Sequence, residues 1–111
     1  MTILDATAGH LTLINTFTVE PENADDLLAA LSRATKTAFT GKLGFISANL
    51  HVSLDGKHVA NYAQWSTRDD MAAAMQDPAV QAGMREAVSL ATAFNPVLYR
   101  LAETHTAETL A

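Results

Sequence analysis

Apolar and polar positions alternate from residue 10 to residue 19. Leu11, Leu13, Asn15, Phe17 and Val19 fall on one side, with Thr12, Ile14, Thr16 and Thr18 on the other. A period of two predicts a β-strand. The period then changes. In EPENADDLLAALSRATKTAF, residues Ala24, Leu27, Leu28, Leu31, Ala34, Thr35 and Ala38 recur at helical spacing. Pro21 suits the first turn of this helix, and Glu22, Asp25 and Asp26 suit its positive end. Gly41 and Gly44 end it.

Two alternating runs follow in GFISANLHVSLDGKHVANYAQW, joined by Asp55-Gly56, a hairpin signal. With those two residues at the centre of the turn, Leu54 pairs with Lys57. Val52 then lies opposite Val59, Leu50 opposite Asn61, Ala48 opposite Ala63 and Ile46 opposite Trp65. Thr67 with Asp70 resembles a capping box, and Asp77-Pro78 restarts a helix whose buried face is Val80, Met84, Ala87, Val88 and Ala91. FNPVLYRLAE (94–103) reads as a last strand. The order β-α-β-β-α-β predicts an α+β, ferredoxin-like domain with one four-stranded antiparallel sheet. One domain spans 1–111, with an ordered core at about 10–103 and a flexible tail at 104–111.

The alternation also marks two anomalies. Asn61, with Trp65 beyond it, lies on the hairpin face that carries Leu50, Val59 and Ala63, and Asn15 lies between Leu13 and Phe17. A buried amide is costly unless it is hydrogen-bonded. Each asparagine therefore serves either a backbone group or helix end nearby, or a water or ligand. The other sheet face offers Ser47, Asn49, Ala60, Tyr62 and threonines, with little charge for a wet surface. A second copy of the chain covering that face is the expected solution.

Composition narrows the partners. Net charge is −5 and the Lys and Arg are scattered singly, so no basic stripe exists to follow a phosphate backbone. There is no cysteine, which removes disulfides and thiolate chemistry and fits a cytoplasmic protein. MTILDATAGH does not read as a secretory signal, and no apolar run reaches membrane-spanning length. No His, Asp or Glu spacing suggests a metal site, and no catalytic triad or phosphate loop is present. His51 falls on the face opposite Asn61.

With this topology, LDGKHVANYAQWST, the MREA stretch, Phe17-Thr18-Val19 and Gly44-Phe45 together resemble the antibiotic biosynthesis monooxygenase family. Within it, the chain is most similar to the quinone-forming polyketide oxygenases of the actinorhodin and nogalamycin type. The resemblance implies a dimeric α+β barrel with no metal or flavin. It would oxidise an anthrone- or naphthol-type aromatic polyketide to a quinone with molecular oxygen. It implies catalytic roles for Asn61, Trp65, Asn15 and Arg85, and substrate contacts for Leu50, Met71, Phe17 and Ala63. The actinorhodin type has tyrosines where this chain has Leu50 and Met71, so two phenolic donors are missing from the implied pocket. Each site residue also has a plainer reading: Trp65 as core, Arg85 as a solvated flank. Two other functions stay open, a non-catalytic dimer that binds a small aromatic and a haem-degrading oxygenase. MAAAMQDPAV lacks the histidine that haem-degrading relatives carry there.

Overall fold

A computed structural model describes residues 2–108. The elements are β1 (Leu11–Thr18), α1 (Ala24–Ala34), β2 (Phe45–Val52), β3 (His58–Trp65), α2 (Arg68–Ala74), α3 (Pro78–Ser89) and β4 (Ala93–Arg100). The strands form one antiparallel sheet in the order β2-β3-β1-β4. This is the expected ferredoxin-like arrangement, with the second crossover divided into two helices. Phe17, Val19, Leu27, Leu31, Val59 and Ala87 form the core between sheet and helices. Residues 101–107 have no regular secondary structure, and the last three residues of the expected tail lie outside the described range.

Both crossover caps are made as the sequence predicts. Thr67 Oγ accepts from the Asp70 N–H at 3.0 Å, and the Asp77 carboxylate accepts from the Ala79 N–H at 2.7 Å. Lys42 also reaches Asp77 at 2.6 Å. The Lys42 hydrogen bond, followed by the Ala79 N–H, holds the Asp77 carboxyl below its ordinary range.

α1 departs from a regular helix at its end. After Ala34 the chain widens into a five-residue π turn, Thr35–Phe39, closed by the Thr40 N–H on the Thr35 carbonyl at 3.1 Å. Thr35, Thr37 and Thr40 donate their hydroxyls to the carbonyls of Leu31, Arg33 and Lys36, four residues back. Those bonds compete with backbone N–H groups for the same acceptors and loosen the helix locally. Alongside, α3 crosses α1 closely. A Cβ placed on Gly83 would lie 2.9 Å from the Ala34 Cβ, so only glycine fits without a shift.

The hairpin keeps the predicted register from Val52↔Val59 to Ala48↔Ala63, with two corrections. First, the Leu54–Lys57 pair is not formed. A type I′ turn needs positive φ at Asp55, yet among the described residues only glycines have it, Gly56 at +73°. The turn instead spans Ser53–Gly56, with the Gly56 N–H on the Ser53 carbonyl at 2.9 Å. The Asp55 carboxylate accepts from the Ser53 hydroxyl and the Lys57 N–H at 2.6 and 2.9 Å. Second, Ile46 does not face Trp65. A bulge between Phe45 and Ser47 puts Phe45 opposite Trp65 and leaves Ile46 exposed as the extra residue.

The second sheet face is partly covered by the chain's own N-terminal segment. Gln64, only 3% exposed, donates to the Ile3 carbonyl at 2.8 Å and accepts from the Ser47 hydroxyl at 2.7 Å. Thr2 Oγ donates to Asn49 Oδ1 at 2.6 Å, and Asn49 Nδ2 donates to the Tyr62 carbonyl at 2.9 Å. β4 is different: all eight of its residues are exposed, including Phe94, Val97, Leu98 and Tyr99.

Candidate active site

The pairing of β1 with β3 sets Asn15 directly opposite Asn61. Leu50 and Pro96 complete that row across the sheet. Both asparagines share the helix-covered face with fully buried Phe17 and Val59, one register row away. Their side-chain oxygens are each buried without a hydrogen-bond partner among the described residues. Leaving a buried acceptor unsatisfied costs about 1–3 kcal/mol. Two on adjacent strands, side by side, are a concentrated exception to the rule that buried polar groups are paired. The plainer reading, in which each amide serves a nearby backbone group or helix end, finds no such bond for either oxygen.

The rows on either side differ. Toward the hairpin turn lie Val52, Val59, Phe17 and Phe94, a bulky wall. Toward the other end lie Ala48, Ala63, Leu13 and Leu98, where two alanines keep the wall low beside Asn61. Trp65 follows. It is 1% exposed and is held edge-on by Phe45 and Phe39, with ring centroids 5.3 and 6.0 Å away. The bulge supplies Phe45 and the π turn supplies Phe39, so two local irregularities together fix the indole. Neither was a sequence candidate by its own pattern, because both depend on departures from regular periodicity.

The other candidates separate. Leu50 packs against the core beside Asn61, and Ala63 is buried two residues along β3. Phe17 is a central core residue, 0% exposed, with its ring 5.1 Å from that of Phe94. Met71 is half-buried on α2. Arg85 is exposed. With Met84, Val88, Ser89 and Phe94 it lines an open, mostly apolar recess of about 470 Å³ between α3 and β4. His51 is exposed on the opposite face, its ring Nδ1 3.1 Å from the Asn49 carbonyl. Among the described residues no three of His, Asp and Glu are grouped to hold a metal ion, and no helix is long and apolar enough to cross a membrane.

The row therefore offers neutral amides in an apolar surround. A carboxamide carbonyl can receive a phenolic O–H, and its NH2 can donate to a developing oxyanion. Neither end titrates, so the site's polarity does not change with pH.

The family model described as antibiotic biosynthesis monooxygenase matches residues 10–86. The chain belongs to the antibiotic biosynthesis monooxygenase family. The match spans every candidate discussed above, from Asn15 to Arg85. Tetracenomycin-F1 monooxygenase of Streptomyces glaucescens is 37% identical over 81 residues, covering 73% of this chain and 72% of that protein. The expected family and enzyme class, a monooxygenase, both stand on these two matches. Among solved structures, SnoaB of Streptomyces nogalater, described as a cofactor-independent oxygenase, superposes with a TM-score of 0.65 at 20% identity. The overlap covers 92% of this chain and 97% of SnoaB. A conserved protein from Methanosarcina mazei Go1 gives a TM-score of 0.75 at 9% identity, over 86% of this chain and 95% of that one. At those identities the likeness is one of fold.

Proposed function

We propose that the chain is a cofactor-independent monooxygenase that oxidises an anthrone- or naphthol-type aromatic polyketide to a quinone. The observation that carries this reading is the opposed pair Asn15–Asn61, with both buried amide oxygens unpartnered. Two acceptors side by side suit a ligand that brings O–H donors on a flat ring system, which a polyphenolic polyketide does. The substrate supplies the electrons. Loss of an acidic ring C–H proton gives a delocalised enolate, which passes one electron to oxygen. Recombination forms a hydroperoxide, and loss of water leaves the quinone. One oxygen atom enters the product and the other leaves as water. The amide NH2 groups stabilise the enolate oxygen as charge develops. The Leu13, Ala63 and Trp65 surround keeps bulk water from that charge. Trp65 positions the polycycle, Leu50, Met71 and Ala63 contact it, and Arg85 receives an acidic substituent from the α3 side. Phe17 borders the row on the same face, one row nearer the hairpin turn.

The test is oxygen uptake over a panel of anthrones, naphthols and quinols, using protein dialysed against a chelator and free of flavin absorbance. Stoichiometric uptake with quinone formation, and one labelled atom from ¹⁸O₂ in the product, is the expected result. Binding of the same compounds without oxygen consumption would make the protein a binder. Activity that returns only with added iron or flavin would contradict the cofactor-independent part.

The same reading includes a homodimer. The expected interface is the sheet face bearing Tyr62, Asn49 and Ser47, to which the edge strand β4 adds the exposed Val97 and Tyr99. Sedimentation equilibrium at micromolar concentration is expected to give the mass of two chains. A stable monomer there would contradict the dimer.

A further inference from the structure

A concave site of about 360 Å³ lies at the end of the sheet where β1 begins and β3 and β4 finish. Arg68 and Arg100 line it, with His10 between the N-terminal segment and β1. Leu11, Tyr99 and Leu101 give it apolar walls. The start of β1 is four residues from Asn15, roughly 13 Å along the strand, and Leu11 lies opposite both Trp65 and Arg100, so the cavity lies beyond the asparagines, at the Trp65 end of the same sheet face.

The charge here runs against the rest of the molecule. The chain has seven Lys and Arg against twelve Asp and Glu. Arg33 and Lys42 are paired with Glu86 and Asp77. Among the described residues the other five cations, Lys36, Lys57, Arg68, Arg85 and Arg100, have no carboxylate within ion-pair distance. Two of those five face this one cavity, brought there from the β3–α2 junction and the end of β4. Asp5 also lines it, but its carboxylate already accepts from the Thr7 N–H at 2.9 Å and the Thr7 hydroxyl at 2.7 Å. Among the Asp, Glu, Lys and Arg that line the cavity, Arg68 and Arg100 outnumber Asp5, leaving one positive charge in excess.

We propose that this cavity binds the oxyanion of a small aromatic acid, with the ring against Leu11, Tyr99 and Leu101 and the anion between Arg68 and Arg100. The guanidinium fork matches a carboxylate or phosphate edge with two parallel N–H donors, which a lysine does not. The volume exceeds what a bare anion fills and falls in the range of small-molecule pockets. The acid group can come from a free metabolite or from the far end of a substrate, and the two sources share the same recognition. The site does not depend on the oxygenase reading.

The experiment is a backbone and arginine side-chain NMR titration of the intact protein with 2-naphthoate, the neutral 2-naphthamide and inorganic phosphate. Naphthoate is expected to shift Ser66, Thr67, Arg68, Tyr99, Arg100 and Leu101 saturably. Naphthamide is expected to bind about tenfold more weakly, and phosphate to compete for the same resonances. Arg68→Gln and Arg100→Gln should each weaken naphthoate by about tenfold while leaving naphthamide unchanged. Arg100→Lys should recover only part of the loss, since it restores charge without the fork. Shifts confined to Asn15, Asn61 and Ala63 would place the acid at the asparagine row and overturn the proposal. So would equal binding of naphthoate and naphthamide, or indifference to both arginine substitutions. If naphthoate shifts are abolished by prior loading with an anthrone, the source is the substrate's own end. If both bind together, the source is a separate acid.

Discussion

Asn61→Ala is expected to lose on the order of a hundredfold in turnover, the scale for removing one preorganised donor at an oxyanion, while melting no lower than wild type. The second half of that result is unusual for a buried polar residue. Truncation normally strands a partner and costs about 1–3 kcal/mol. Here the Asn61 oxygen has no partner to strand, and neither does the Asn15 oxygen opposite it. Alanine removes an unsatisfied acceptor from an apolar face, which offsets the small loss of packing volume. Asn15→Ala should behave the same way. Paired measurements of melting temperature and anthrone turnover check this. Lower melting with normal turnover would show the amide to be structural.

Phe17→Ala is expected to do the opposite. Phe17 is fully buried, belongs to the central core with Leu27, Leu31 and Val59, and stacks at a tilt on Phe94. Truncating a buried phenylalanine costs about 3–5 kcal/mol. In a domain of this size that lowers the melting temperature by roughly 15 °C or more. The family resemblance implies a substrate contact for Phe17; its complete burial in the core argues for a scaffold role beside Asn15. Thermal denaturation separates the two roles. A Phe17→Ala protein that melts as wild type and loses only substrate affinity would restore the contact role.

Most of the sheet was legible because strand alternation is local. The offset that places Leu50 against Asn61 follows from the hairpin alone, and it survives although the turn type does not. Asp55-Gly56 signals a turn, but it cannot say whether Leu54 or Ser53 opens it; the Asp55 carboxylate decides that by tying Ser53 to Lys57. The bulge at Ile46 was hidden because Phe45 and Ile46 are both apolar, so either could face Trp65. The π turn at Thr35–Phe39 was hidden because a helical period continues through Ala38. The Asn15–Asn61 opposition was within reach, since both stood out as polar residues in apolar faces. Which residues lie opposite across β1 and β3 depends on a pairing between strands distant in sequence. The N-terminal cover over Gln64 and the arginine-lined cavity have no periodic signal. They arise only when three separated segments meet at one end of the sheet.

The central claim is that the opposed asparagines bind the substrate. Side-chain amide NMR under anaerobic conditions tests it most directly, because without oxygen the complex with an anthrone does not turn over. Saturable shifts of both asparagine NH2 pairs and of the Trp65 indole N–H, with a single shared affinity, are the predicted result. Asparagine resonances that stay unmoved at saturating anthrone, in protein that oxidises the same anthrone once air is admitted, would contradict it.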